Sequence, residues 1–180
     1  LKILNDTPHL KNLGMRKMLE ILELSEHVRS GDLGFRIGPC INAAGRLDDA
    51  ALGLKMLTTT DEREVVKLVN ELITLNEERK ELTAQATNNA IAQIEEMKAL
   101  EKPVLVIYLK DCHESVAGIV AGRIREKYYR PAYVLTDGEK GLKGSGRSIP
   151  GYHMQQALQN CQELLTEFGG HALAAGFSLP

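Results

Sequence analysis

Apolar residues recur at helical spacing between positions 8 and 29 (Leu10, Leu13, Met15, Met18, Leu19, Ile21, Leu22, Leu24). That rhythm predicts short helices, ended by Gly31 and Gly34. The stretch from Phe35 to Ala50 follows no single period. Its first half reads as an extended segment closed by Gly38-Pro39. Its second half reads as a small-residue turn displaying Asn42, Arg46, Asp48 and Asp49. Thr60 then reads as an N-cap, with Asp61, Glu62 and Glu64 in the first turn, where the helix dipole favours acids. Behind it Val65, Leu68, Val69, Leu72, Leu75, Leu82, Ala86, Ala90, Ile94 and Met97 form one apolar stripe. Unbroken to Lys98, such a helix would be roughly 55 Å long at ~1.5 Å per residue, which suits a connector between two lobes.

After Pro103 the period changes. Val104 to Tyr108 is a continuous β-rich run, the pattern of a strand buried on both faces. Asp111 to Glu114 reads as a turn and Val116 to Tyr129 as a helix. Pro131 to Leu135 reads as a second strand leading into a glycine-rich hairpin. Met154 to Phe168 reads as a further helix, and Phe177 to Leu179 opens a last strand. The fold class is therefore α/β: a helical segment and a long connector helix, followed by a small α/β lobe with a mixed sheet. The corresponding divisions are residues 1–60, 61–100 and 101–180.

Composition narrows the function classes. Aromatic residues make up only 4% of the chain and tryptophan is absent, which argues against base stacking as the main route to nucleic acid. No run is long enough to span a bilayer, so no membrane role is expected. The N-terminus lacks a signal-peptide pattern, and a cytoplasmic protein is expected. The first residue is Leu1 rather than methionine, which reads as a fragment or a processed chain. Cys40, Cys112 and Cys161 lie far apart and read as small buried residues, not as a disulfide framework or zinc site. The net charge of −2 is a poor match for a general nucleic-acid binder. Its distribution is more telling. Asp61 to Glu101 holds ten acids against five bases, whereas Ala121 to Arg147 holds seven bases against three acids.

That basic stretch runs into Gly144-Ser145-Gly146-Arg147-Ser148-Ile149-Pro150-Gly151, and a second glycine block follows at Phe168-Gly169-Gly170-His171-Ala172-Leu173-Ala174-Ala175-Gly176. Glycine lets backbone N–H groups come close to an anion. Arg147 can fork onto phosphate oxygens, and Ser145 or Ser148 can donate beside it. The pair of blocks reads as a pocket for a phosphodiester or a terminal phosphate. Ordinary turn chemistry, with a structural histidine, is the competing reading. His9, His27 and His153 have no such context.

Four blocks together resemble the RecJ family of DHH phosphoesterases, single-strand-specific 5′→3′ DNA exonucleases of bacteria. They are Ile41-Asn42-Ala43-Ala44-Gly45-Arg46-Leu47-Asp48-Asp49, His113 to Ala121, and the two glycine blocks. The first is the block most specific to this family. The resemblance implies that 1–60 is the end of a DHH catalytic domain, 61–100 the connecting helix and 101–180 the DHH-associated C-terminal domain. It implies Mn²⁺ or Mg²⁺ in the intact enzyme, bound by DHH motifs that this sequence lacks, and none in this chain. Two-metal hydrolysis needs several carboxylates or imidazoles held ~4 Å apart. The fragment alone is therefore expected to be inactive.

By the same resemblance Ser145, Gly146, Arg147, Ser148, Gly169 and Gly170 hold the backbone of single-stranded DNA near a 5′ end. Asn42 and Arg46 hold it from the N-terminal part, and His171 stands at the scissile phosphate. For Arg46 the alternative is a salt bridge to Asp48 or Asp49. His113 either caps its helix or touches phosphate. Cys112 departs from an aromatic residue that the family often places there. Implied partners are single-stranded DNA, single-strand-binding protein and a helicase, in DNA repair and recombination. The alternatives are a DHH-family oligoribonuclease or nucleotide phosphatase, and a non-catalytic nucleic-acid-binding module.

Overall fold

The computed structural model describes residues 1–180 apart from Thr7, Pro8 and Ser25. It forms two compact units, Leu1–Lys80 and Glu81–Pro180.

The first unit is helical. Helix α1 (Leu13–Ile21) starts at Asn12, whose side chain accepts from the Met15 N–H at 2.8 Å. Helices α3 (Gly38–Leu47) and α4 (Ala51–Thr58) precede the long α5 (Glu62–Glu96), whose first half closes the core over Met18, Leu19, Met56, Val65, Val69 and Leu72. Gly14 lets α1 and α4 touch: a Cβ there would stand 1.8 Å from the Met56 carbonyl oxygen. Backbone cannot swing aside as a side chain can. Gly14→Ala is therefore expected to cost about 1–3 kcal/mol or more in urea unfolding, the range for overpacking. An unchanged midpoint would rule out this helix contact.

The glycines at 31 and 34 do not end helical structure, and Phe35 to Gly38 is not extended. Helix α2 (Ser30–Asp32) passes through a π-helical turn, Leu33–Ile37, directly into α3. Pro39 has no N–H to give and its ring would crowd the carbonyl four residues back in an α-helix. The wider π turn accommodates it, with the Gly38 N–H reaching back to the Leu33 carbonyl. Asn42 to Leu47 is thus helix and not a turn. The cap of α5 is also displaced by one residue from Thr60. The Asp61 carboxylate accepts from Arg63 N–H at 2.7 Å and Glu64 N–H at 3.0 Å, which holds its pKa below the usual carboxylate range.

The second unit packs helices on a five-stranded mixed sheet of order β1-β2-β3-β5-β4. Strand β1 (Leu105–Tyr108) runs parallel to β2 (Ala132–Gly138), and the other pairings are antiparallel. Helix α6 (Glu114–Tyr128) crosses between β1 and β2. Its Val116, Val120 and Ile124 bury against Leu105, Ile107 and Val134, together with Ala86, Ala90 and Ile94 from the second half of α5. On the opposite face Tyr133 and Phe177 meet edge to face beneath Met154 and Leu158 of α7 (Met154–Gln159). Strand β1 is not buried on both faces: as an edge strand it alternates, with Val106 and Tyr108 exposed.

The larger departure is in the glycine-rich segment. Residues Gly141–Arg147 form β3, a fully paired central strand between β2 and β5 (Ala174–Leu179). Gly144 and Gly146 do not make a loop there. A Cβ on Gly144 would lie 2.1 Å from the Phe177 ring, and one on Gly146 2.5 Å from Met154 Sδ. The core fills the space those side chains would take. The expected helix to Phe168 stops at Gln159, and Phe168 instead lies on β4 (Glu167–Gly170). Burial pushes the Cys40 and Cys112 thiols up, away from thiolate, in keeping with a packing role. Among the described residues no helix is long and apolar enough to cross a membrane.

Candidate nucleic-acid interface

Strand alternation decides which side chains share a face. Lys143, Ser145 and Arg147 point to the face that carries α6; Gly144 and Gly146 point to the other. Arg147 lies along two glycines one turn apart on α6. A Cβ on Gly118 would be 2.9 Å from Arg147 Nη2 and 3.5 Å from Ser145 Oγ, and one on Gly122 would be 4.0 Å from Arg147 Cγ. Arg147 Nη1 also donates to the Gly146 carbonyl at 2.8 Å. The half-buried guanidinium is thus aligned before any ligand arrives.

Across β5 and β4 the same face has almost no side chains. Register places Ser145 opposite Gly176, and Gly176 opposite Gly169. A Cβ on Gly169 would meet nothing within 4 Å, and one on Gly176 only the Gly144 carbonyl at 3.8 Å. Arg147 is opposite Ala174, and one further step of the β4–β5 register puts His171 beyond it. Three rows result: Arg147-Ala174-His171, Ser145-Gly176-Gly169, and Lys143-Ser178-Glu167. Two strand spacings, ~10 Å, separate the first and last member of each row. The middle of the first two rows offers only methyl or hydrogen, so a ligand backbone can approach the sheet itself.

His171 sits in the hairpin turn from β4 to β5, with its N–H donating to the Ala174 carbonyl at 2.7 Å, and it is exposed. Gly169 and Gly170 differ in role. Gly169 leaves the platform open. Gly170 has φ of 148°, and a Cβ there would lie 2.4 Å from the Ala174 carbonyl, so it permits the turn.

Three expected contacts fall elsewhere. Gly146 serves the opposite core, as above. Ser148 is buried, with its Oγ donating to the Tyr152 carbonyl at 2.8 Å and its N–H to the Leu173 carbonyl at 2.9 Å. It ties down the chain after β3 instead of presenting a donor on the platform. His113 caps α6, its Nδ1 accepting from the Ser115 N–H at 3.3 Å. His153 caps α7 in the same way, through the Gln156 N–H.

In the first unit Asn42 and Arg46 stand one turn apart on the exposed side of α3, while Ala43 and Ala44 between them are fully buried. They line a shallow groove with Gly45, Gly53 and Leu54, and Gly53 lets α4 approach Ile41. Asp49 accepts from the Ala51 N–H at 2.8 Å. Among the described residues no three His, Cys, Asp or Glu side chains converge as a metal site.

Gly118, Gly122 and Lys143 were not singled out from sequence. The four-residue glycine spacing in α6 was the available signal for the first two. Lys143 follows from period two along β3 once that segment is known to be a strand.

Residues 101–180, which carry the open glycine platform and the helix-held arginine, match the DHHA1 domain family. The whole chain shows more. It is 39% identical over 175 residues to the single-stranded-DNA-specific exonuclease RecJ of Escherichia coli strain K12, covering 92% of this chain and 30% of that protein. It is 34% identical over 167 residues to the Thermus thermophilus protein of the same name, covering 93% and 24%. A crystal structure of exonuclease RecJ bound to manganese superposes with a TM-score of 0.87 at 33% identity, covering 98% of this chain and 43% of that one. RecJ from Thermus thermophilus in complex with Mg²⁺ gives 0.82 at 32% identity, covering 98% and 27%. The chain is thus similar to RecJ proteins over nearly its whole length, and it spans under a third of the length of the curated relatives it matches.

Proposed function

We propose that this chain is the DNA-binding part of a RecJ-type 5′→3′ exonuclease specific for single-stranded DNA, acting in DNA repair and recombination in the cytoplasm. The observation that carries this reading is the bare platform bounded by Arg147, Ser145 and His171. A duplex is a thick, stiff rod, whereas a single strand can lay its backbone flat on a glycine-lined sheet. Arg147 and Ser145 hold one phosphate of the strand, and Asn42 and Arg46 hold another. His171 donates to the phosphate undergoing attack and stabilises the charge that develops on it. Single-strand-binding protein and a helicase are the partners this reading implies.

Divalent metal serves the intact enzyme, a reading supported by the related RecJ structures in complex with Mg²⁺ and bound to manganese. The described residues of this chain do not fit a metal pair. The neighbouring aspartates are on one short turn, and no third ligand meets them. No step of metal-assisted hydrolysis is assigned to them.

Two measurements on the purified chain test the proposal. Fluorescence anisotropy is expected to show a 5′-phosphorylated single strand binding more tightly than a blunt duplex of equal length; equal affinities would overturn it. Incubation with Mn²⁺ and 5′-labelled single strand is expected to release no mononucleotide. Sustained release that copurifies with the chain and disappears in His171→Ala would show that this chain itself cleaves.

A further inference from the structure

A second cleft in the C-terminal unit lies away from the platform, between the second half of α5 and the loop from β1 to α6. Its volume is about 380 Å³, within the range of small-ligand pockets. One wall is a ladder of carboxamides, Gln85, Asn89 and Gln93, at successive turns of α5. That spacing keeps all three on one helix face, flanking the buried stripe of Ala86, Ala90 and Ile94. The floor is apolar, formed by Ala86 and Leu109. Lys110, Asp111 and His113 stand at the opposite side.

The His113 Nδ1 is engaged by Ser115, 3.3 Å from its N–H and 2.7 Å from its Oγ, which leaves Nε2 as the ring nitrogen not bonded to Ser115. The cleft therefore offers paired donors and acceptors on one wall, an apolar floor, and an ammonium, a carboxylate and an imidazole opposite. Primary carboxamides match the donor–acceptor edges of nucleobases. Lys110 suits the phosphate attached to such a base. A carboxylate or phosphate alone would engage only the carboxamide NH₂ donors and leave their oxygens unmatched, whereas a base edge offers partners to both.

We infer that this cleft receives one nucleotide of the bound single-stranded DNA, with the base edge on Gln85, Asn89 and Gln93 and its phosphate toward Lys110. It is a base-reading subsite, separate from the backbone-holding platform, and it rests on the reading that the chain binds a single strand. Contacts there favour strands that carry bases over strands that carry only sugar and phosphate.

The test compares a mixed-base single strand with an abasic strand of equal length and phosphate number, by anisotropy on the full chain. The variant is the triple substitution Gln85→Ala, Asn89→Ala, Gln93→Ala. Alanine is the best helix former, so α5 is expected to persist, and circular dichroism checks this. The variant is expected to bind the mixed-base strand about tenfold more weakly and the abasic strand unchanged. In the unsubstituted protein, the Asn and Gln side-chain NH₂ resonances are expected to shift with the mixed-base strand and stay fixed with the abasic one. Equal loss on both strands, or no loss on either, overturns the subsite while single-strand binding stands. Failure of the unsubstituted protein to bind any single strand overturns both.

Discussion

Arg147→Ala is expected to weaken single-stranded DNA binding by about 1.5–3 kcal/mol, the cost of losing a bidentate charge-assisted contact. In a salt titration the slope of log K against log [salt] should flatten by ~0.7, the share of one phosphate on a single strand. Arg147→Lys keeps the charge and loses the planar fork, so it should restore the slope and only part of the affinity. A companion change acts through position alone. Gly118→Ala puts a methyl 2.9 Å from Arg147 Nη2, and the guanidinium, being the end of a flexible side chain, is the atom group that moves. The fold should survive and affinity should fall in the same direction as for Arg147→Ala, by less. Unchanged affinity and slope in Arg147→Ala would leave the arginine as a strut between β3 and α6.

His171→Ala, introduced into the intact enzyme, is expected to lower kcat about 10²-fold with little change in DNA affinity. A donor beside the reacting phosphate gains most when charge develops in the transition state, so its loss shows in turnover. Arg147→Ala should show the opposite balance, because the phosphate it holds does not change during the reaction. The position of His171 favours a clean experiment. Its side chain is exposed and the turn is closed by its backbone N–H, which alanine retains. Intact kcat in a folded His171→Ala enzyme would remove the imidazole from the chemistry.

The long α5 could be read from sequence because its stripe from Val65 to Ile94 keeps helical period throughout. Its cap could not be fixed to the residue, since Thr59, Thr60 and Asp61 are all competent and only geometry selects Asp61. The residue types of the proposed anion site, Ser145, Arg147 and His171, could be picked out in the sequence, but Gly144-Ser145-Gly146 reads as loop because its β-character is supplied from outside. Strands on both sides saturate its backbone, and Phe177 and Met154 fill its missing side chains. Ser148 misled for the converse reason: a serine beside an arginine looks like a ligand until its hydroxyl is found spent on the Tyr152 carbonyl. The stretch from Gly31 to Pro39 hid its helix behind three glycines and a proline, residues that end helices when the turn is an ordinary one.

The π turn at Leu33–Ile37 also acts as a phase setter. One extra residue in a helix rotates everything downstream by ~100° about the axis. Without it, α3 would carry Asn42 and Arg46 round toward the core, and the small Ala43 and Ala44 would leave the spaces they fill between neighbouring helices. A one-residue deletion that left the wide turn in place would remove no contact of Arg46 directly, yet it would change what Arg46 faces. Sequences related to this one can therefore be sorted by whether they keep the count of residues between Leu33 and Asn42, a length rule that operates independently of which residues occupy those positions.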